Sequence, residues 1–194
     1  MPSMQFTPAL LDLVFAKNLK LDVTPKCVTR RLAYADDRLI IRPTAGALYE
    51  GTVRGDIVGV QRGGRLIFAR HDVHDRISDE VQTSVRPGRY GRTVGTITIT
   101  SITIERLWFI VGKGIDEFRA EGFTSPESFI KEWNRLHNDS AHWWEQNPLV
   151  YRMAFTPREF YKEIYQQGRT RTDRPSVAAG VTHSKKRLSA HAHQ

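Results

Sequence analysis

The chain has 194 residues and only one cysteine, Cys27, so it can form no internal disulfide and has no cysteine pair for a zinc knuckle. Long hydrophobic runs are missing too: nothing approaches the roughly 20 apolar residues that cross a bilayer. The opening MPSMQFTPALLDLVF carries no basic region before its apolar stretch and does not read as a secretory signal, so a cytoplasmic location with no membrane partner is expected. No Walker loop, dinucleotide fingerprint, Ser/His/Asp pattern or internal repeat occurs, and no cofactor is expected. RHDVHD supplies ligand types in His71, Asp72, His74 and Asp75, but the spacing fits no standard zinc motif. It reads as a strand running into a polar loop, and no metal site is expected.

What is present is the composition of a soluble globular protein, 40% hydrophobic and 26% charged. The length suits one well-buried domain with an appendage. The formal charge of +8 points towards polyanions, because clustered cations gain affinity by releasing counterions from phosphates. Most of it is local. GRTRTDRPSVAAGVTHSKKRLSAHAHQ holds four arginines and two lysines against one aspartate, which is +5 of the total. We therefore expect a domain over 1–167 and a disordered basic tail over 168–194.

Within the domain, residues up to Asp22 read as helical or mixed, with Phe6, Leu10, Leu11, Leu13, Val14 and Phe15 apolar. From Leu39 the pattern turns to short strands punctuated by glycine and proline: RLIIRP, GDIVGVQR and, after a Gly-Gly turn, RLIFARHDV. Val73 to Arg92 is polar and reads as a long exposed loop. TVGTITITSITIERL alternates Thr or Ser with Ile at period two and predicts a half-exposed strand of an antiparallel sheet. GIDEFRAEGF reads as a short acidic helix ended at Gly122. TSPESFIKEWNRLHN reads as a second helix, with Thr124 and Glu127 at capping-box spacing and Phe129, Trp133 and Leu136 on one side. NPLVYRMAFTP predicts a closing strand ended by Pro157. A last helix to Gln167 follows, with Phe160 and Ile164 inward. Strands in the middle and helices at both ends indicate a compact α+β barrel.

The densest polar stretch is TPKCVTRRL, Thr24 to Leu32. Thr24 suits an N-cap and Pro25 the first helical position, so a short helix is expected here. Lys26, Thr29 and Arg30 would share its face, with Arg31 about 100° further round. The helix N-terminus would favour anions and make Lys26 easier to deprotonate. The same residues also fit an amphipathic helix with a solvated basic face.

The order Lys-x-x-Thr-x-Arg, several strands, RAEGFTSPESFIKEW and then NPLVYRMAF resembles the ASCH domain, a PUA-like family of small β-barrels often associated with RNA. The family signature is G-x-K-x-x-E-x-R. Lys26 and Arg31 match it, Thr24 departs from the glycine, and Thr29 stands for the glutamate, as in relatives that read K-T-x-T-x-R. The later segments resemble phage and bacterial versions, and the likeness spans most of residues 6–157. It implies a small mixed β-barrel flanked by helices, with RNA or a modified nucleoside as partner. One branch of the family is an amidohydrolase that deacetylates N4-acetylcytidine. By that similarity Lys26, Thr29 and Glu121 would be catalytic, with Thr29 attacking the amide carbonyl and Lys26 taking its proton. Arg30 or Arg31 would hold an oxyanion or a phosphate.

Other features bear on the same question. Of Trp143 and Trp144 one is expected in the core and the other, Trp144, to stack a base beside arginine. Lys185, Lys186 and Arg187 are a candidate nucleic-acid-binding run or a solubilising end. Three functions are thus expected in order: an RNA- or nucleotide-binding module, a hydrolase of acylated nucleosides or RNA, and a phage-derived protein-interaction module. Nothing in the sequence indicates an oligomeric state.

Overall fold

A computed structural model describes residues 3–43, 55–70, 83–87, 91–137 and 139–172. The fold is mixed α+β, built on a curled five-stranded half-barrel sheet and a separate three-stranded sheet. In chain order the elements are β1 (Ser3–Phe6), α1 (Pro8–Val14), α2 (Ala16–Leu19), β2 (Val28–Leu32), β3 (Arg38–Pro43), β4 (Gly55–Arg62), β5 (Arg65–Ala69) and β6 (Thr83–Pro87). They continue with β7 (Gly95–Arg106), α3 (Phe109–Gly112), α4 (Ile115–Ala120), α5 (Pro126–Leu136), β8 (Leu149–Phe160) and α6 (Lys162–Thr172). The larger sheet runs β1-β6-β7-β8-β2, with β1 parallel to β6 and the remaining pairs antiparallel; the smaller runs β3-β4-β5. Among the described residues no helix is long and apolar enough to cross a membrane.

Two apolar clusters lie on the two sides of β2 and β8. One joins Phe6, Leu11, Phe15, Val60, Ile97, Tyr151, Met153 and Phe155, bringing α1 and both sheets together. The other joins Leu32, Leu107, Phe118, Phe129, Trp133 and Val150, seating α3, α4 and α5. Alternation along a strand explains the split: Val150 faces the helices while Tyr151 and Met153 face the first cluster.

Several expectations are corrected. TPKCVTRRL is not helical: Val28–Leu32 is a strand whose register pairs Thr29 with Met153 and Arg31 with Tyr151. β-branched Val28 and Thr29 favour extended backbone, and β8 has an edge that needs a ladder partner, which outweighs a local cap signal. The supposed loop from Val73 to Arg92 contains β6, with Thr83 and Val85 buried, because β1 offers a parallel partner. β7 is not half-exposed throughout. From Gly95 to Ile99 it is buried, its threonine side covered by β8, where Arg158 donates to Thr98 Oγ1 and the Glu159 N–H to Thr96 Oγ1.

Pro157 does not end β8. It pairs with Ile97, at a point where β2 has already stopped at Val28–Ala154, so its missing N–H removes no bond on that open side. The last helix accordingly begins at Lys162, and its backbone runs on past Gln167 to Thr172. The capping box of α5 is Ser125 with Ser128, one residue later than expected, and Leu136 is exposed while Phe129 and Trp133 are buried. The RHDVHD group, His71, Asp72, His74 and Asp75, and the rest of the tail, including Lys185, Lys186 and Arg187, lie outside the described residues.

Candidate functional site

Lys26 precedes β2 in a stretch held on three sides by backbone bonds. Its own N–H donates to Leu13 O, the Cys27 N–H donates to Ala120 O, and the Phe155 N–H donates to Cys27 O. Ala120 ends α4, and Glu121 follows directly. The helix closes through Gly122 at φ 90°, where a β-carbon would sit 3.0 Å from both Leu10 Cδ2 and Leu13 Cδ1. Only glycine meets both demands, and this close seating carries Glu121 onto Lys26.

The Lys26 ammonium is 2% exposed and donates to Val28 O at 2.7 Å, Glu121 O at 2.5 Å and Glu121 Oε2 at 2.8 Å. Burial lowers its pKa from the usual lysine value, opposed by the Glu121 charge and reinforced by Arg31 and Arg30. The sequence-based expectation of an easier deprotonation thus agrees in direction, but the cause is desolvation and not a helix terminus.

Arg30 points from β2 towards α4, and its guanidinium is enclosed by carboxylates. Nη1 donates to Glu121 Oε1 at 2.9 Å, Nη2 to Glu117 Oε1 at 2.6 Å and Glu105 Oε1 at 2.8 Å, and Nε to Glu105 Oε1 at 3.0 Å. Glu117 also receives both Nε and Nη2 of Arg152, at 2.5 and 3.0 Å, and Glu105 receives Lys113. Burial alone would raise the Glu117 carboxyl, but the bonds from Arg152 and Arg30 overcome it and hold its pKa at about 2. The Glu121 carboxylate therefore bridges two cations, with Oε2 on Lys26 and Oε1 on Arg30.

Period-two alternation sends Thr29 and Arg31 to the opposite face of β2 from Arg30. They line a cavity of about 530 Å³, within the size range of small-molecule sites. Lys26, Thr29 and Glu121 are its buried polar part, each 3% exposed or less. Phe6 and Phe68 on one side and Phe123, Phe129 and Trp133 on the other are aromatic walls. Arg31, Glu132, Leu136 and His137 form the more exposed rim. Arg31 lies 5.4 Å over the Phe6 ring and donates Nη2 to Gln5 O at 2.7 Å.

All five residues of the sequence-predicted pocket, Lys26, Thr29, Arg30, Arg31 and Glu121, line this one cavity. Trp144 does not line it. Half-buried, Trp144 packs behind the wall, with ring centroids 6.1 Å from Phe129 and 6.4 Å from Trp108, while Trp143 is the exposed member of the pair. Sequence reasoning missed Glu105, Glu117 and Arg152. Glu117 stands one helical turn before Glu121, a spacing that would have found it; Glu105 and Arg152 are brought in by the β7–β8 pairing and left no local signal. Comparison with family models, with curated proteins and with solved structures finds no match to this chain.

Proposed function

We propose that this chain is an RNA- or nucleotide-binding protein of ASCH/PUA-like kind, cytoplasmic, that takes a nucleoside unit into the cavity above Lys26, Thr29 and Glu121. The observation that carries this reading is the convergence of Lys26 and Glu121, 95 positions apart, beneath aromatic walls. Recognition of a single unpaired base needs polar groups for its edge and π surfaces for its faces, and the cavity offers both. The curled half-barrel sheet fits the expected barrel architecture. Arg30 has a structural part in this reading, since its guanidinium makes four hydrogen bonds to Glu105, Glu117 and Glu121 and holds Glu121 in place. Phe6, Phe129 and Trp133 take the stacking role first assigned to Trp144, and Lys185, Lys186 and Arg187 add sequence-independent attraction to phosphates.

The test is titration of labelled single-stranded RNA and of nucleosides, N4-acetylcytidine among them, at roughly 50 mM salt, where electrostatic contacts are strong. Saturable binding weakened several-fold by Lys26→Ala is expected. Absence of binding to every one of these ligands by the folded protein refutes the reading.

A second reading, hydrolysis of an acylated nucleoside, is favoured by the lowered pKa of Lys26 in the same cavity as Thr29. The uncharged amine would accept the Thr29 hydroxyl proton as Oγ1 adds to the acyl carbon. The amide C–N bond then breaks, the proton passes from Lys26 to the leaving nitrogen, and water hydrolyses the resulting ester. Glu121 orients Lys26 throughout. Chromatographic loss of N4-acetylcytidine, abolished by Thr29→Ala with binding retained, is the expected result. Full survival of that compound and of other acylated nucleosides with the wild type sinks this second reading alone.

A further inference from the structure

We propose that Arg31 and His137 form an anion seat at the cavity rim, so that the ligand is held as a nucleotide, with a phosphate between these two side chains, in preference to a free nucleoside. The inference rests on the reading above and concerns a part of the site that the catalytic-type residues leave unused.

The argument is one of charge balance. Of the three cations lining the cavity, Lys26 has Glu121 and Arg30 has three carboxylates. Arg31 has no carboxylate partner among the described residues. Its one hydrogen bond there goes to a neutral carbonyl, Gln5 O, and its other contact is the Phe6 ring. A guanidinium has five N–H donors in a planar fork, so most of Arg31's capacity is open in an apolar, partly desolvated setting. Burial lowers its pKa even against the opposing charge of Glu121, which expresses the cost of that setting. Neither carboxylate that lines the cavity is bonded to Arg31, and the through-space charge of Glu121 offsets its burial only in part. Glu121 is shared between Lys26 and Arg30, and Glu132 is clasped by Arg135 at 2.6 and 2.7 Å. An entering anion is the partner Arg31 lacks, and a phosphate matches the fork bidentately.

His137 completes the seat. Its position at the end of α5 is fixed by its backbone, whose N–H donates to Trp133 O while its carbonyl accepts from Trp143 Nε1 at 2.8 Å. Its ring lies 4.4 Å from the Trp133 ring, between centroids, and no hydrogen bond to either ring nitrogen occurs among the described residues. It lines the same cavity as Arg31, and burial first, then the charges of His142 and Arg31, lower its pKa and favour the neutral imidazole. A neutral imidazole presents one N–H to a phosphate oxygen and needs no counterion of its own.

Calorimetric titration with the four ribonucleosides and their 5′-monophosphates tests this. For the base that binds, the monophosphate is expected to bind at least about ten-fold more tightly than the nucleoside, as charge-assisted bonds to a partly desolvated arginine allow. Arg31→Gln and His137→Gln should each bring that ratio towards one, and Arg31→Lys should restore only part of it, keeping charge without the fork. His137→Gln, at a partly exposed helix end, serves if the Arg31 variants do not fold. Equal affinity for nucleoside and monophosphate, or a ratio unmoved by His137→Gln, overturns the anion seat and leaves the nucleoside site standing. If no nucleoside and no monophosphate binds, the nucleoside site fails and the anion seat with it.

Discussion

Replacing Glu121 by glutamine removes one charge from the point where two buried cations meet, and the geometry sets the scale of the effect. In the wild type Oε2 accepts from Lys26 at 2.8 Å and Oε1 from Arg30 at 2.9 Å, with both cations nearly inaccessible. Removing one partner of such a pair costs about 3–5 kcal/mol, because the remaining charge stays desolvated. Here Arg30 keeps Glu105 and Glu117, whereas Lys26 keeps no anion, only the carbonyls Val28 O and Glu121 O and at best the amide oxygen of the new glutamine. The loss thus falls mainly on Lys26, and Glu121→Gln is expected near the lower end, about 3 kcal/mol. Lys26→Met leaves Glu121 paired with Arg30 and fills the same space with an apolar chain, so about 1–2 kcal/mol is expected. The double variant removes the stranded ammonium and should be more stable than Glu121→Gln alone, giving a coupling energy above about 1 kcal/mol. Urea unfolding followed by tryptophan fluorescence measures all four corners of the cycle. A Glu121→Gln variant within about 0.5 kcal/mol of wild type, or strictly additive single changes, would refute the reasoning.

Acid should act through Glu117. Its folded pKa of about 2 lies below the ordinary 4.5, so its contribution is complete above pH 4.5 and lost as pH falls from there towards 2. The shift corresponds to ~3 kcal/mol at most, and the solvent-facing Arg152 contact reduces this to ~1–2 kcal/mol; Glu117→Gln should flatten the stability profile over that window, and an unchanged slope argues against it. Gly122→Ala must hold φ 90° and press a methyl group to within 3.0 Å of Leu10 and Leu13. A loss of about 1–3 kcal/mol is expected from urea unfolding, and wild-type stability would mean that α4 ends differently. Trp144→Ala should cost about 2–3 kcal/mol through lost packing on Phe129 and Trp108, with RNA affinity of the folded protein unchanged. A large loss of RNA affinity at constant stability would return Trp144 to the binding surface.

The sequence by itself determined the elements whose signals are local. The Thr/Ile alternation of Gly95–Arg106 yields a strand, the Gly122 stop ends Ile115–Ala120, and Pro126–Leu136 presents Phe129 and Trp133 inward. It also carried the pocket residues, since Lys26, Thr29, Arg30, Arg31 and Glu121 are chemically distinctive and line one cavity. Tertiary structure decided what depends on a partner distant in the chain. TPKCVTRRL became extended because β8 had an open edge, Thr83–Pro87 became a strand because β1 lay parallel to it, and Pro157 stayed within β8 because β2 had already ended. The division of labour between adjacent arginines arose in the same way. A helix would have grouped Arg30 with Lys26 and Thr29 and turned Arg31 about 100° away, but a strand groups Thr29 with Arg31 and turns Arg30 to the opposite face. Both reach the cavity lining, but Arg30 is bonded to the carboxylates of α4 and β7 whereas Arg31 is bonded to a backbone carbonyl, so packing alone made Arg30 a buried tie and left Arg31 without a bonded carboxylate among the described residues.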